Sequence, residues 1–230
     1  MIAPTHQEVA ALELSLSVAW RSVVFSLPPA IVVAWVLTRR RFVGKTLLDA
    51  VVHLPLVLPP VAVGYVLLLL FGTRGPIGGW LDRSFGIVLI FTRNGAALAT
   101  AVMSFPLMVR AMRISLENID RGLEDAARTL GAGAIDRFAT VTLPLMLPGV
   151  LAGAITAFSA ALGEFGAVIT FVSNIPGETR TLPLALYTAL QTPGGDGAAA
   201  RLACISLALG LAGLLLSEYF ARRMRLVLGR

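Results

Sequence analysis

Few side chains in this sequence have the type and spacing to do chemistry. Gly44-Lys45-Thr46 ends like a phosphate-cradling loop, but the glycine required five residues before Gly44 is Arg39, and no strand precedes it. Nucleotide chemistry is therefore expected in a partner. Asp49 and His53 stand one helical turn apart, yet two ligands with no others nearby do not make a metal site, and a hydrogen bond at a helix end is the expected use. Cys204 is the single cysteine, so neither a disulfide nor a thiolate cluster can form within one chain, and it reads as a small core residue. That leaves Glu164, between Gly163 and Gly166, and Arg21, ionisable groups set inside apolar runs. No catalytic residue, metal or cofactor is expected.

The elements that hold these groups are membrane spans. Of the 230 residues 57% are hydrophobic and only 14% charged, where soluble domains carry about a quarter charged. The expected fold class is an all-α membrane protein, one transmembrane domain over 1–230. A spanning helix needs about 20 apolar residues, which predicts five spans, at 14–38, 47–71, 94–113, 147–172 and 200–221. "FGIVLIF" (Phe85 to Phe91) is too short to span and reads as interfacial or as an outer extension of the third helix. "LPLALYTALQ" (Leu182 to Gln191) reads as a half-buried cap on the outer side. Pro28, Pro29, Pro55, Pro59, Pro60 and Pro106 are expected to bend their helices.

The net charge of +6 comes from basic residues beside apolar segments, without the aromatic interleaving of a nucleic-acid surface. Arg39, Arg40, Arg41 and Lys45 follow the first span; Arg110, Arg113, Arg121, Arg128 and Arg137 follow the third; Arg222, Arg223, Arg225 and Arg230 follow the fifth. By the positive-inside rule the N-terminus is expected outside, and the C-terminus and the 114–146 loop on the cytoplasmic side. No basic residue precedes Arg21, so the first run is expected to stay as an uncleaved helix.

That loop is the one polar passage. Leu123, Ala126, Ala127 and Leu130 recur at i, i+3, i+4 and i+7, one stripe of an amphipathic helix. Asp120 can cap it, Arg121 with Asp125 and Glu124 with Arg128 are i, i+4 pairs, and Gly131 supplies the left-handed stop. Ile135, Phe138 and Ala139 begin a second stripe, and Pro144 and Pro148 are expected where the chain turns back into the membrane.

Asp125-Ala126-Ala127, three residues, Gly131, nine residues, then Val141-Thr142-Leu143-Pro144 resembles the EAA loop of ABC importer permeases, with Asp125 where the family usually has Glu and Val141 where it has Ile. "HLPLVLPPVAVGY" from His53, "SFPLMVRAMR" from Ser104, "LGEFGAVITFVSNIPGETRTLP" from Leu162 and "YTALQTPGG" from Tyr187 are similar to molybdate importer permeases of Gram-negative bacteria. Sulfate permeases share a looser version. The resemblance implies a type I permease bundle in the bacterial inner membrane whose coupling helix docks on an ABC ATPase. It also implies two ATPase copies and a periplasmic molybdate-binding protein, and five spans per chain suggest a homodimer of this chain. The coupling residues it implies are Glu124, Asp125, Ala126, Ala127, Arg128, Leu130, Gly131, Ile135, Phe138, Leu143 and Pro144. A path or gate is expected at Ser159, Gly163, Glu164, Gly166 and Thr170.

Gly153, Ala157, Ala160 and Glu164 share one face of the fourth span, so Glu164 is expected to face protein or a cavity. It is either a gate residue or a structural anion, paired with a base such as Arg21 or hydrogen-bonded to backbone freed by the two glycines. Tungstate or sulfate remains an alternative cargo, and a gradient-driven transporter or channel the alternative class. That class calls for inverted repeats and paired intramembrane charges.

Overall fold

The computed structural model describes residues 5–227 and, among these, holds only helices and their connections. Eleven α-helices run as α1 His6–Arg39, α2 Lys45–His53, α3 Pro60–Phe71, α4 Gly78–Phe85, α5 Arg93–Glu117, α6 Arg121–Thr129, α7 Ala134–Arg137, α8 Leu143–Leu162, α9 Gly166–Val172, α10 Leu182–Gln191 and α11 Asp196–Val227. Four stretches are long and apolar enough to cross a membrane: α1, α5, the continuous 134–162 and α11; the bent pair 45–56 and 60–71 makes a fifth if it counts as one span.

Helix α1 begins eight residues before the predicted span. Thr5 and Glu8 form a reciprocal capping box, a T-x-x-E signature at the chain's start. Pro28 and Pro29 leave α1 one unbroken helix, as Pro106 does α5. The second predicted span is broken instead: after α2 comes a 3₁₀ turn at Leu54–Leu56, and α3 departs at 114°. Pro55, Pro59 and Pro60 withhold three amide donors within six residues, more than a helix can bridge.

The bundle is centred on α5, which lies against α1 along one side and α8 along the other. Gly149 and Gly153 set the closeness of the second contact. A Cβ on Gly149 would stand 2.3 Å from the Cβ of Ser115 and 2.9 Å from the Ala111 carbonyl oxygen. One on Gly153 would meet the Met108 carbonyl at 3.1 Å. With no side chain there, two backbones approach as small-xxx-small helix pairs do in lipid. Around this contact Ala30, Ala34, Leu37, Met108, Met112, Leu116, Met146 and Ala157 form one sealed core. A second core joins Leu14, Val18, Ala96, Ala99, Val168, Phe171 and Leu184 near the start of α1.

Several expectations change. The fourth span does not run to 172: it ends at Leu162, and α9 starts anew at Gly166. Pro144 and Pro148 do not mark a turn, because α7 passes into α8 through a π-helical segment, Phe138–Thr142. There the Leu143 amide reaches back to the Phe138 carbonyl, the widened turn that accommodates a Pro144 with no amide to give. The helix preceding that segment is interrupted earlier, between Thr129 and Ala134. "FGIVLIF" leaves α4 as non-helical chain instead of extending α5. Cys204 is exposed on α11, not a core residue. Of the last basic group, Arg230 lies outside the described residues, as do the side chains of Arg222, Arg223 and Arg225.

At Gly149 an alanine has no room unless backbone yields. Gly149→Ala should lower stability by about 1–3 kcal/mol, while Gly210→Ala, where a Cβ meets nothing within 4 Å, should shift it by no more than about 1 kcal/mol. Thermal unfolding of the purified variants in one detergent checks the difference.

Candidate functional site

Helix α6 forms where the loop sequence places it. Asp120 caps it by accepting from the Gly122 amide at 2.8 Å. Its end is a Schellman motif: the Ala132 amide donates to the Ala127 carbonyl and the Gly131 amide to the Arg128 carbonyl, with Gly131 at φ +90°. The predicted i, i+4 ion pairs are not found among the described residues. Glu124 reaches away from Arg128: one oxygen, Oε1, accepts from Arg39 Nε at 3.1 Å and from Thr142 Oγ1 at 3.0 Å. The Arg39 guanidinium also donates to the Ile119 carbonyl at 3.4 Å. Three segments, the end of α1, α6 and the π turn, thus meet on one carboxylate.

The predicted apolar stripe is not spent inside the chain. Leu123 is 49% exposed, Leu130 89% and Ile135 86%; Asp125, Ala126 and Arg128 are exposed and Ala127 half-buried. Phe138 turns inward, meeting the Trp35 ring edge-on at 6.1 Å, and Leu143 packs on the core below. The outward-facing members therefore form a surface, while Glu124, Phe138 and Leu143 support it from behind, with Pro144 in the first turn of α8. This division was not readable from spacing.

The second group of expected residues gathers, with one exception, at the break between α8 and α9. Glu164 Oε1 accepts from the Ala167 amide at 2.9 Å and so caps the first turn of α9. Arg21 is elsewhere, donating to Asn94 Oδ1 at 2.8 Å. Of the two structural uses open to Glu164, it makes the bond to freed backbone. Gly166 lies against Pro60, whose Cβ a Gly166 side chain would approach to 2.7 Å, and Gly64 lies under Ala167 and Thr170. The two broken helices therefore abut at their breaks, and Thr170 folds its hydroxyl back to the Gly166 carbonyl at 2.8 Å. Gly163 is exposed at this joint. Ser159 is the exception: it faces α11, where a Cβ on Gly213 would be 2.3 Å from its hydroxyl. Asp49 and His53 do meet through a helix-end hydrogen bond, and Asp49 also accepts from Arg113 at 2.6 Å, an α2 to α5 tie that sequence did not suggest.

Non-helical backbone at membrane depth is tolerated only where protein buries it or where it lines a watery cavity. Beside the breaks at Val57–Pro59 and Gly163–Phe165 the two helices pack on each other through Gly166 and Pro60, while Val57, Pro59 and Gly163 stay exposed.

The family model for the inner membrane component of binding-protein-dependent transport systems matches residues 26–226. The chain belongs to this family. Among its relatives, the molybdenum transport system permease protein ModB of Escherichia coli strain K12 is 59% identical over 98% of this chain and 99% of its own length. The sulfate transport system permease protein CysT of the same strain is 38% identical over 95% of this chain and 79% of its own. Among solved structures, a bacterial alginate ABC transporter in complex with an alginate pentasaccharide-bound periplasmic protein superposes with a TM-score of 0.75 at 16% identity. That match covers 96% of this chain and 80% of that one. An amino acid ABC transporter gives 0.63 at 18%, covering 94% of each. The fold of this inner-membrane component is that of ABC importer permeases.

If the Glu164 carboxylate serves as a helix cap, Glu164→Ala should cost about 1 kcal/mol of stability. Glu164→Gln, which keeps an acceptor oxygen, should cost roughly half that or less. Thermal unfolding ranks the two; equal losses would contradict the capping role.

Proposed function

We propose that this chain is the membrane-spanning permease subunit of an ATP-driven importer that brings molybdate across the bacterial inner membrane, with ATP hydrolysed by a separate ABC ATPase. The observation that carries the mechanism is the exposed apolar stripe of α6. Leu123 and Leu130, with Ile135 of α7, stand exposed on this polar loop, and among the described residues no element covers them. A partner's groove is the remaining cover, and Asp125 and Arg128 beside the stripe fix the register of docking. The coupling surface is thus Asp125, Ala126, Ala127, Arg128, Leu130, Gly131 and Ile135, braced by Glu124, Phe138, Leu143 and Pro144. It faces the cytoplasm, with the N-terminus periplasmic and the C-terminus cytoplasmic, the orientation that the arginine distribution supports.

Two copies pair about a two-fold axis, each binding one ATPase subunit, and a periplasmic molybdate-binding protein delivers the oxyanion to the opposite face. The path follows the joint of α3 with α9, past Gly163, Glu164, Gly166 and Thr170. Tyr65 and Leu69 of α3 are exposed beside it, and the second copy covers them. Ser159, packed on α11, contributes to helix packing instead of lining the path. A carboxylate in this path would repel a dianion, so Glu164, its carboxyl oxygen held by the α9 amide, acts as a hinge support, not a ligand. Cargo contact here is weak and brief, and selectivity resides largely in the delivering protein. The molybdate reading is supported by 59% identity over nearly the whole length to a molybdenum permease, against 38% to the sulfate permease.

Uptake by the reconstituted complex should require ATP, be competed by tungstate, and be little affected by a large excess of sulfate. Conduction without ATP would overturn the importer reading, and strong competition by sulfate would overturn the cargo. Gly131→Val forces a β-branched residue to φ +90°, a cost of about 1–2 kcal/mol. It should release the ATPase subunit during purification while the permease itself stays in the membrane.

A further inference from the structure

The stroke of a coupling helix is ordinarily followed into the helices on either side of it in sequence, here α5 and α8. A third connection has no counterpart in sequence order. Arg39, in the last turn of α1, lies 80 and 85 residues from Ile119 and Glu124, which accept its hydrogen bonds. Its side chain is only 8% exposed and that of Glu124 23%. The same Glu124 oxygen holds Thr142, in the π turn that leads into α8. Four residues before Arg39, Trp35 receives the edge of Phe138 from that turn, and the Arg40 guanidinium sits 5.0 Å over the Trp35 ring.

From this clasp α1 runs unbroken to His6, 34 residues, a rod of about 51 Å at 1.5 Å per residue. Its far end is fastened too. Glu8, 5% exposed, takes three hydrogen bonds from Nε and Nη2 of Arg201 near the start of α11, and the Leu182 amide at the start of α10 donates to Ser15 at 2.7 Å. Pro28 and Pro29 leave no break between the two ends.

Resting on the coupling role given to α6, we propose that Arg39 is a positioning residue whose clasp on Glu124 and Thr142 makes α1 move as one body with the coupling helix, so that α1 carries its displacement to α10 and α11 on the opposite face. A partly buried charged pair with hydrogen bonds on both partners suits this use, since several groups fix its geometry and loss of one partner leaves the other without its main contact.

The test uses the complete complex with its ATPase and binding protein in proteoliposomes, measuring molybdate taken up per ATP hydrolysed. Arg39→Gln should keep the ATPase bound and lower the ratio by roughly tenfold, within the usual range of inter-site coupling. The exchange Arg39→Glu with Glu124→Arg should recover much of it relative to Arg39→Glu alone. A normal ratio in Arg39→Gln, or no recovery on exchange, overturns the clasp.

A second measurement leaves the clasp intact. With Cys204→Ser as background, spin labels at Val32→Cys, exposed on α1, and Arg121→Cys on α6 report the α1 to α6 distance without nucleotide and with trapped ATP. It should stay within about 2 Å, well under the one-turn scale of a helix ratchet; a larger change overturns the proposal even where the Arg39 variants fail to assemble. Wild-type complex that shows no ATP-driven uptake would instead sink the importer reading, and so the two failures are told apart.

Discussion

The close approach of α5 and α8 at Gly149 and Gly153 governs what the other elements can do. In lipid there is little hydrophobic gain from pressing two helices together, so backbone proximity and dispersion must hold them. Because the glycines let the helices touch over Ala111, Ser115 and Met108, their ends at Glu117 and Leu143 stay close enough for a short polar loop to join them. Helix α6 is suspended between those ends. A wider spacing would leave α6 tethered but not braced, and Glu124 could not reach Thr142 and Arg39 together.

The same solvent explains the other half of the molecule. A backbone break in hydrocarbon strands amides and carbonyls, and this chain has two such breaks, one from prolines at 55, 59 and 60 and one at Gly163–Phe165. Placing Gly166 on Pro60 and Gly64 under Ala167 seats the two short helices against each other beside their breaks, and Glu164 accepts from an amide in the first turn of α9.

The sequence made much of this legible, and for identifiable reasons. Composition and run length identify the membrane class, because lipid permits few solutions. The α6 stripe, its Asp120 cap and its Gly131 stop were readable since all are local. The α9 break was not: apolar residues on both sides of Gly163-Glu164-Phe165-Gly166 made 147–172 read as one span with a single ionisable group inside it. Proline gave opposite results by context. Three within residues 55–60 severed a helix, whereas Pro28, Pro29 and Pro106 were absorbed. The Arg39 to Glu124 pair was hidden for a related reason. Each charge had a plausible local use, as topology signal and as i, i+4 partner, and the fold chose a distant one. The capping box at Thr5 and Glu8 is local and readable, and it places the helix start earlier than hydropathy does.

An apolar stripe left uncovered on a polar loop is the central claim, and its cover can be identified directly. A photo-crosslinking residue at Leu130, 89% exposed, in the assembled transporter in native membranes should attach to the ATPase subunit. The same probe at Leu116, fully buried, should attach only within the permease. Attachment of the Leu130 probe to lipid or to a periplasmic protein, with the ATPase present in the complex, would contradict the coupling surface.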